Sequence, residues 1–180
     1  MKKSIATLFF LSGAVSLIIM SLQYFQSDSA GIMSGKEISS EIWYRYCLRT
    51  HILCGMIAIT VGPFQFIKKL RSRFGNLHRK MGYLYFISIM IASLTGLIVA
   101  QYAMGGWSTR IGFSVLAVLW STSTIMAVKT ILTNDLVQHK KWIYLSYGFT
   151  FSAITQRTLL LTVPISDFDF IDIYRLSAWL

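Results

Sequence analysis

The apolar positions of the chain fall into long, nearly uninterrupted runs. Five of them, about 4–24, 47–67, 81–103, 111–132 and 142–163, each reach the roughly 20 residues that a helix needs to cross a bilayer. A sixth run starts near Ile171 and stops at Leu180, where ten residues rise only about 15 Å. It reads as a truncated last span. The pattern predicts an all-α polytopic bundle of five full spans plus a partial sixth. Residues 1–24 form its first transmembrane helix, 25–46 an outer loop, and 47–180 a four-helix membrane core with the partial last helix 171–180. Lys2 and Lys3 precede the first run, but its length and the lack of a small-x-small cleavage site after it argue for a retained helix.

Within the runs, the polar and small residues recur at helical spacing. The second run carries His51, Gly55, Ala58, Gly62 and Gln65 on one face, and the third carries His78, Gly82, Tyr85, Ile89, Ser93, Gly96 and Ala100. The fourth has Ser114, Ala117, Ser121 and Thr124. The fifth has His139, Ile143, Ser146, Thr150, Ala153 and Arg157. Such stripes let membrane helices approach closely, and they also leave room for a flat cofactor or a lipid-like ligand.

Composition agrees with the pattern. Of 180 residues, 54% are hydrophobic and 13% charged, with mean hydropathy +0.57. A soluble domain has about 25% charged residues, so a soluble enzyme or a nucleic-acid-binding domain is excluded. The net charge is +10, and its distribution sets the topology. With the N-terminus inside, the inner segments hold eleven cations against one acid, Asp135, and the outer segments hold six cations against six acids. The positive-inside rule then places the N-terminus in the cytoplasm, in a bacterial plasma (inner) membrane. The inner segment Lys68–Lys80 is polybasic, and it is either a topology determinant or a contact for anionic lipid. The outer segment from Lys36 to Tyr46 has helical spacing with Trp43, Tyr44 and Tyr46 near its end, which predicts a short interfacial helix. Cys47 and Cys54 stand seven apart, about 10 Å along a helix, too far for a disulfide. They read as small apolar fillers.

The candidate chemistry lies in three histidines, one arginine and one glutamine. His78-Arg-Lys-Met-Gly-Tyr and His139-Lys-Lys-Trp-Ile-Tyr open two spans that run the same way, so both histidines fall at the inner level. His51 lies about 25 Å above the inner boundary and Arg157 about 27 Å, by helical rise. Those two share the outer level. Imidazole is an axial ligand for haem iron, so His78 and His139 are a candidate pair for haem b. His51 and Arg157 are candidates for a quinone or another ligand, and Gln65, on the same stripe as His51, is a further candidate cofactor-binding residue.

These motifs carry a resemblance. The pattern is His51-x3-Gly55, Gly62-Pro-x-Gln65-Phe, Arg73-Phe-Gly-Asn-x-His78-Arg-x-x-Gly82-x-x-Tyr85, then His139-x-x-Trp142-x4-Tyr147-x-x-Thr150 and Arg157. It resembles a bacterial family of predicted multi-pass membrane proteins known only as a domain of unknown function, from about His51 to the end. Lys140 stands where that pattern has Arg. The resemblance implies a fold, a membrane location and a last helix after the acidic outer loop, and no activity.

Three functions remain open on the sequence. One is a membrane bundle without catalysis of its own, acting as a ligand-binding or partner subunit. A second is a b-type haem or quinone-linked electron-transfer protein. The third is a small transporter, for which Ser121–Thr124 supplies a polar mid-span but no span supplies a carboxylate. No nucleophile motif, phosphate loop or metal-ligand spacing of Cys and His is present.

Overall fold

The structure, a computed structural model, describes residues 2–28, 31–34 and 36–180, with side chains from residue 12 onward except 32. The side chains of Lys2 and Lys3 lie outside the described set. Among the described residues seven α-helices follow one another: α1 Lys2–Gln26, α2 Ile42–Val61, α3 Lys68–Arg73, α4 Gly75–Ala100, α5 Trp107–Leu132, α6 Leu136–Leu160 and α7 Phe170–Ser177. No strand occurs among the described residues.

The boundaries have local causes. At α2, Gly62-Pro63 turns the α-helix into a 3-10 turn over Gly62–Phe66, because Pro63 has no N–H to continue the ladder. Between α4 and α5 the chain reverses through Gly105 and Gly106, at φ +85 and +81, where a Cβ would be strained. Asn134, at φ 59, closes α5, and Asp135 caps α6 by accepting the Gln138 N–H at 3.0 Å. A turn this short forces α5 and α6 to lie antiparallel and adjacent.

Helices α2, α4, α5 and α6 form the core, packed α2 on α4, α4 on α5 and α5 on α6, with further contact between α2 and α6. α1 lies against α2 and α6, and α7 against α6 and α5. Residues of the stripes face inward: Ala58, Ile89 and Ser146 are fully buried, and Tyr85, Thr124 and Thr150 nearly so. Large apolar side chains such as Ile87, Ile91, Leu94, Val115, Val118 and Leu119 point outward. Among the described residues three stretches, Ile42–Phe66, Gly75–Ala100 and Trp107–Leu132, are long and apolar enough to cross a membrane. An apolar outer face around a small-residue core is what a lipid solvent selects.

Two local expectations come out differently. The segment before the second span is a 3-10 turn at Glu37–Ser40 followed directly by the first turns of α2. Within it Tyr44 is fully buried and meets Tyr102 ring to ring at 5.6 Å, while Trp43 and Tyr46 stay exposed. The basic connection is itself helical, forming α3 and the first turn of α4. Hydropathy marks where the chain prefers apolar surroundings. Backbone hydrogen bonding carries a helix past that limit.

Candidate functional site

Among the described residues, the four-helix core carries a cavity at each end, both partly open to the surface. The first, about 220 Å³, lies between the N-terminal half of α2, the C-terminal ends of α4 and α6, and the start of α5. Parts of α1 and Tyr174 of α7 complete it. His51 and Arg157 both line it, and they are close enough to interact electrostatically. The second, about 880 Å³, lies between the 3-10 turn after α2, the starts of α4 and α6 and the end of α5. His78, His139 and Gln65 all line it. The level arithmetic thus pairs His51 with Arg157 and His78 with His139 as the fold does. Gln65 goes with the histidine pair, not with His51.

In the His51 cavity, the His51 ring is anchored. Its Nδ1 lies 2.8 Å from the Ala92 carbonyl. A carbonyl oxygen only accepts, so Nδ1 carries the proton and Nε2 keeps a lone pair. Gly96 makes room for this ring, since a Cβ there would stand 2.9 Å from His51 Nδ1. Arg157 donates from Nη1 to the Ala153 carbonyl of its own helix at 3.2 Å. No carboxylate lies within ion-pair distance of Arg157 among the described residues. A second cation reaches the cavity from outside the core helices. Lys36 donates from Nζ to the Tyr102 carbonyl at 3.0 Å, and burial together with the nearby Arg110 charge holds its ammonium below the ordinary lysine pKa.

In the His78 cavity, His139 is anchored in the same way, with Nδ1–H donating to the Ala127 carbonyl at 2.7 Å. Its Nε2 lone pair is left without a partner among the described residues. His78 has a buried Nδ1 with no hydrogen-bond partner, and Gln65 a buried Nε2 in the same condition. Unpaired buried polar atoms are uncommon and call for an explanation. Arg71, Arg79 and Lys140 stand around this cavity, and Phe66, Phe86 and Ile143 supply apolar wall. His78 lies within electrostatic reach of both Arg71 and His139.

Between the two cavities runs a buried hydroxyl network that the sequence did not disclose. Trp120 donates from Nε1 to Thr150 Oγ1 at 2.9 Å. The Tyr85 hydroxyl meets both Thr150 Oγ1 and Ser146 Oγ at 3.0 Å, and Ser146 meets Thr124 Oγ1 at 2.7 Å. Trp120 and Thr150 line the His51 cavity, and Tyr85 and Thr124 line the His78 cavity. The stripes named four of these side chains. Trp120 fell outside them, and which hydroxyls meet depends on helix rotation. The polar run at mid-α5 is mostly self-satisfied: Ser121, Ser123 and Thr124 each donate to carbonyls of their own helix. That removes the main support for a transport path through it. Among the described residues no three His, Cys, Asp or Glu side chains converge as a metal-binding set.

Residues 48–180 match the model of DUF2306, described as a predicted membrane protein, and the chain belongs to that family. Comparisons with curated proteins and with solved structures give no significant match.

Proposed function

We propose, starting from a member of a predicted membrane protein family without an assigned activity, that this chain is a ligand-binding membrane bundle carrying a b-type haem between His78 and His139. One observation carries the reading. Two histidines from different helices line a single cavity, one of them oriented through Nδ1 with Nε2 open and the other with a buried ring nitrogen unpaired. A histidine that ligates a metal usually donates its other ring N–H to a carbonyl or carboxylate, which fixes tautomer and orientation. His139 has that arrangement before any ligand is considered.

The rest of the cavity fits the same group. Its volume, about 880 Å³, is in the range of cofactor sites, roughly 300–1,000 Å³. Arg71, Arg79 and Lys140 offer cations for two propionates, and Phe66, Phe86 and Ile143 offer flat apolar contact. Two imidazoles alone make a poor cage for a bare ion, whereas a porphyrin needs only axial ligands from the protein. A bound haem would supply one-electron transfer. His78 and His139 would hold and orient it, and Gln65 Nε2 would gain a place to donate. Haemin added to the purified full chain in detergent is expected to saturate at one per chain. A titration with no saturation, or one unchanged in a His78→Ala, His139→Ala double variant, contradicts the reading.

The membrane arrangement that goes with this site has five full spans, on α1, α2, α4, α5 and α6. The N-terminus is cytoplasmic in a bacterial inner membrane. The His78 cavity then opens on the cytoplasmic side beside the Lys68–Lys80 segment, where anionic lipid headgroups would sit. The excess of cations at that end supports this orientation. Single cysteines at Ser72 and Ser108, in a chain with Cys47 and Cys54 replaced by Ala, should separate cleanly in intact cells. A membrane-impermeant maleimide is expected to label position 108 and spare 72. The reverse pattern excludes the N-in topology.

A further inference from the structure

We infer that the His51 cavity is a second, separate site that binds a small carboxylate with an apolar body, its head on Arg157. The cavity is walled mainly by apolar side chains, among them Ile52, Phe113 and Leu160. Its charged lining is Arg157 and Lys36, and neither Asp nor Glu lines it. A cation buried in a membrane bundle is costly and is ordinarily paired or functional. Lys36 is tied to the Tyr102 carbonyl across the fold, at 3.0 Å. Arg157 donates to the Ala153 carbonyl of its own helix at 3.2 Å and lies within electrostatic reach of Tyr24 and Tyr174, and among the described residues no carboxylate pairs with it. A guanidinium presents a planar fork of N–H groups that matches the two oxygens of a carboxylate.

Size limits the body. An apolar cavity of about 150 Å³ accepts benzene, so about 220 Å³ accepts a single ring or a short alkyl chain together with its carboxylate. A quinone head is the competing occupant, because a neutral ring carbonyl would accept from Arg157 and a quinol hydroxyl would donate to His51 Nε2. The charge balance favours the anion. Two cations without a counterion would remain uncompensated beside a neutral ligand, and a carboxylate removes half of that imbalance. The site shares no side chain with the haem ligands, so either proposal can fail while the other stands.

Isothermal titration of the purified full chain in a non-ionic detergent tests this with benzoate, benzyl alcohol and hydroquinone. Benzoate is expected to bind saturably and about tenfold or more tighter than benzyl alcohol, the factor that one hydrogen bond to a charged group supplies. Arg157→Gln is expected to erase that difference. Gly55→Leu gives an independent arm. Gly55 lines the cavity and a Cβ there meets nothing within 4 Å, so a leucine enters where there is free space and is expected to abolish benzoate binding, with far-UV circular dichroism reporting that the variant is folded. Failure of benzoate to bind, equal binding of benzyl alcohol, hydroquinone binding as tightly as benzoate, or unchanged benzoate affinity in Gly55→Leu would each overturn the site. The wild-type comparison and the Gly55→Leu arm stand even if Arg157→Gln does not fold.

Discussion

His139→Ala is expected to remove haem from the purified protein, and His78→Ala to do the same. Loss of a group that merely orients a metal ligand weakens binding by about 10–100-fold. Loss of the ligand itself should therefore exceed about a hundredfold, so that no haem survives purification. The two variants are not equal in their side effects. His139 fills a hydrogen bond to Ala127 at 2.7 Å, and its removal leaves that carbonyl to its helix alone. His78 makes no bond through Nδ1, so its removal deletes a buried unpaired atom and should leave thermal stability equal to or above that of the unliganded parent. His51→Ala is the matched control. It lies in the other cavity, and haem content should be unchanged. Haem content is read as the pyridine haemochrome per mole of protein, with far-UV circular dichroism reporting the fold.

The largest purely structural effect is expected at Gly62. A Cβ there would stand 2.3 Å from Cε2 and 2.4 Å from Cδ2 of Tyr147, and 3.1 Å from the Tyr85 ring. Neither ring can retreat freely. Tyr85 is 1% exposed and bonded to both Ser146 and Thr150, and Tyr147 is 8% exposed within the same core cluster. Overpacking of this kind costs about 1–3 kcal/mol, and here it also displaces the tyrosine at the hub of the hydroxyl network. Gly62→Ala should lower the midpoint of thermal unfolding in detergent, with Gly55→Ala as the contrast. The Gly55 position has open space beside it and lies within α2, where alanine is the better helix former. Gly55→Ala should be neutral or stabilising. Equal midpoints for the two variants would contradict the packing described around Gly62.

The parts of this fold that were legible in the sequence are those governed by helical geometry alone. The rise per residue places His51 level with Arg157 and His78 level with His139, and each pair lines one cavity. The spacing of four and three puts Ala58, Tyr85, Ser146 and Thr150 on inward faces, where they are buried. What stayed hidden depends on features with no period. Lys36 reaches the His51 cavity from a connection, which no pattern within a span can announce. The hydrogen bonds from Trp120 through Thr150 and Tyr85 to Ser146 and Thr124 depend on the rotation of three helices about their own axes. Helices α2 and α4 begin at Ile42 and Gly75, ahead of the apolar runs that start at Cys47 and Met81. Aromatic and basic side chains interrupt the apolar run at those points without interrupting the helix.

The central claim is bis-histidine haem at the His78 end. It is tested most directly by the reduced-minus-oxidised optical spectrum of the full chain, purified from cells supplied with a haem precursor. The account predicts the sharp α and β bands of a low-spin, six-coordinate haem b, absent from His78→Ala and from His139→Ala and retained in His51→Ala. A colourless protein with full helical content, or a haem spectrum that survives both single substitutions, would contradict it.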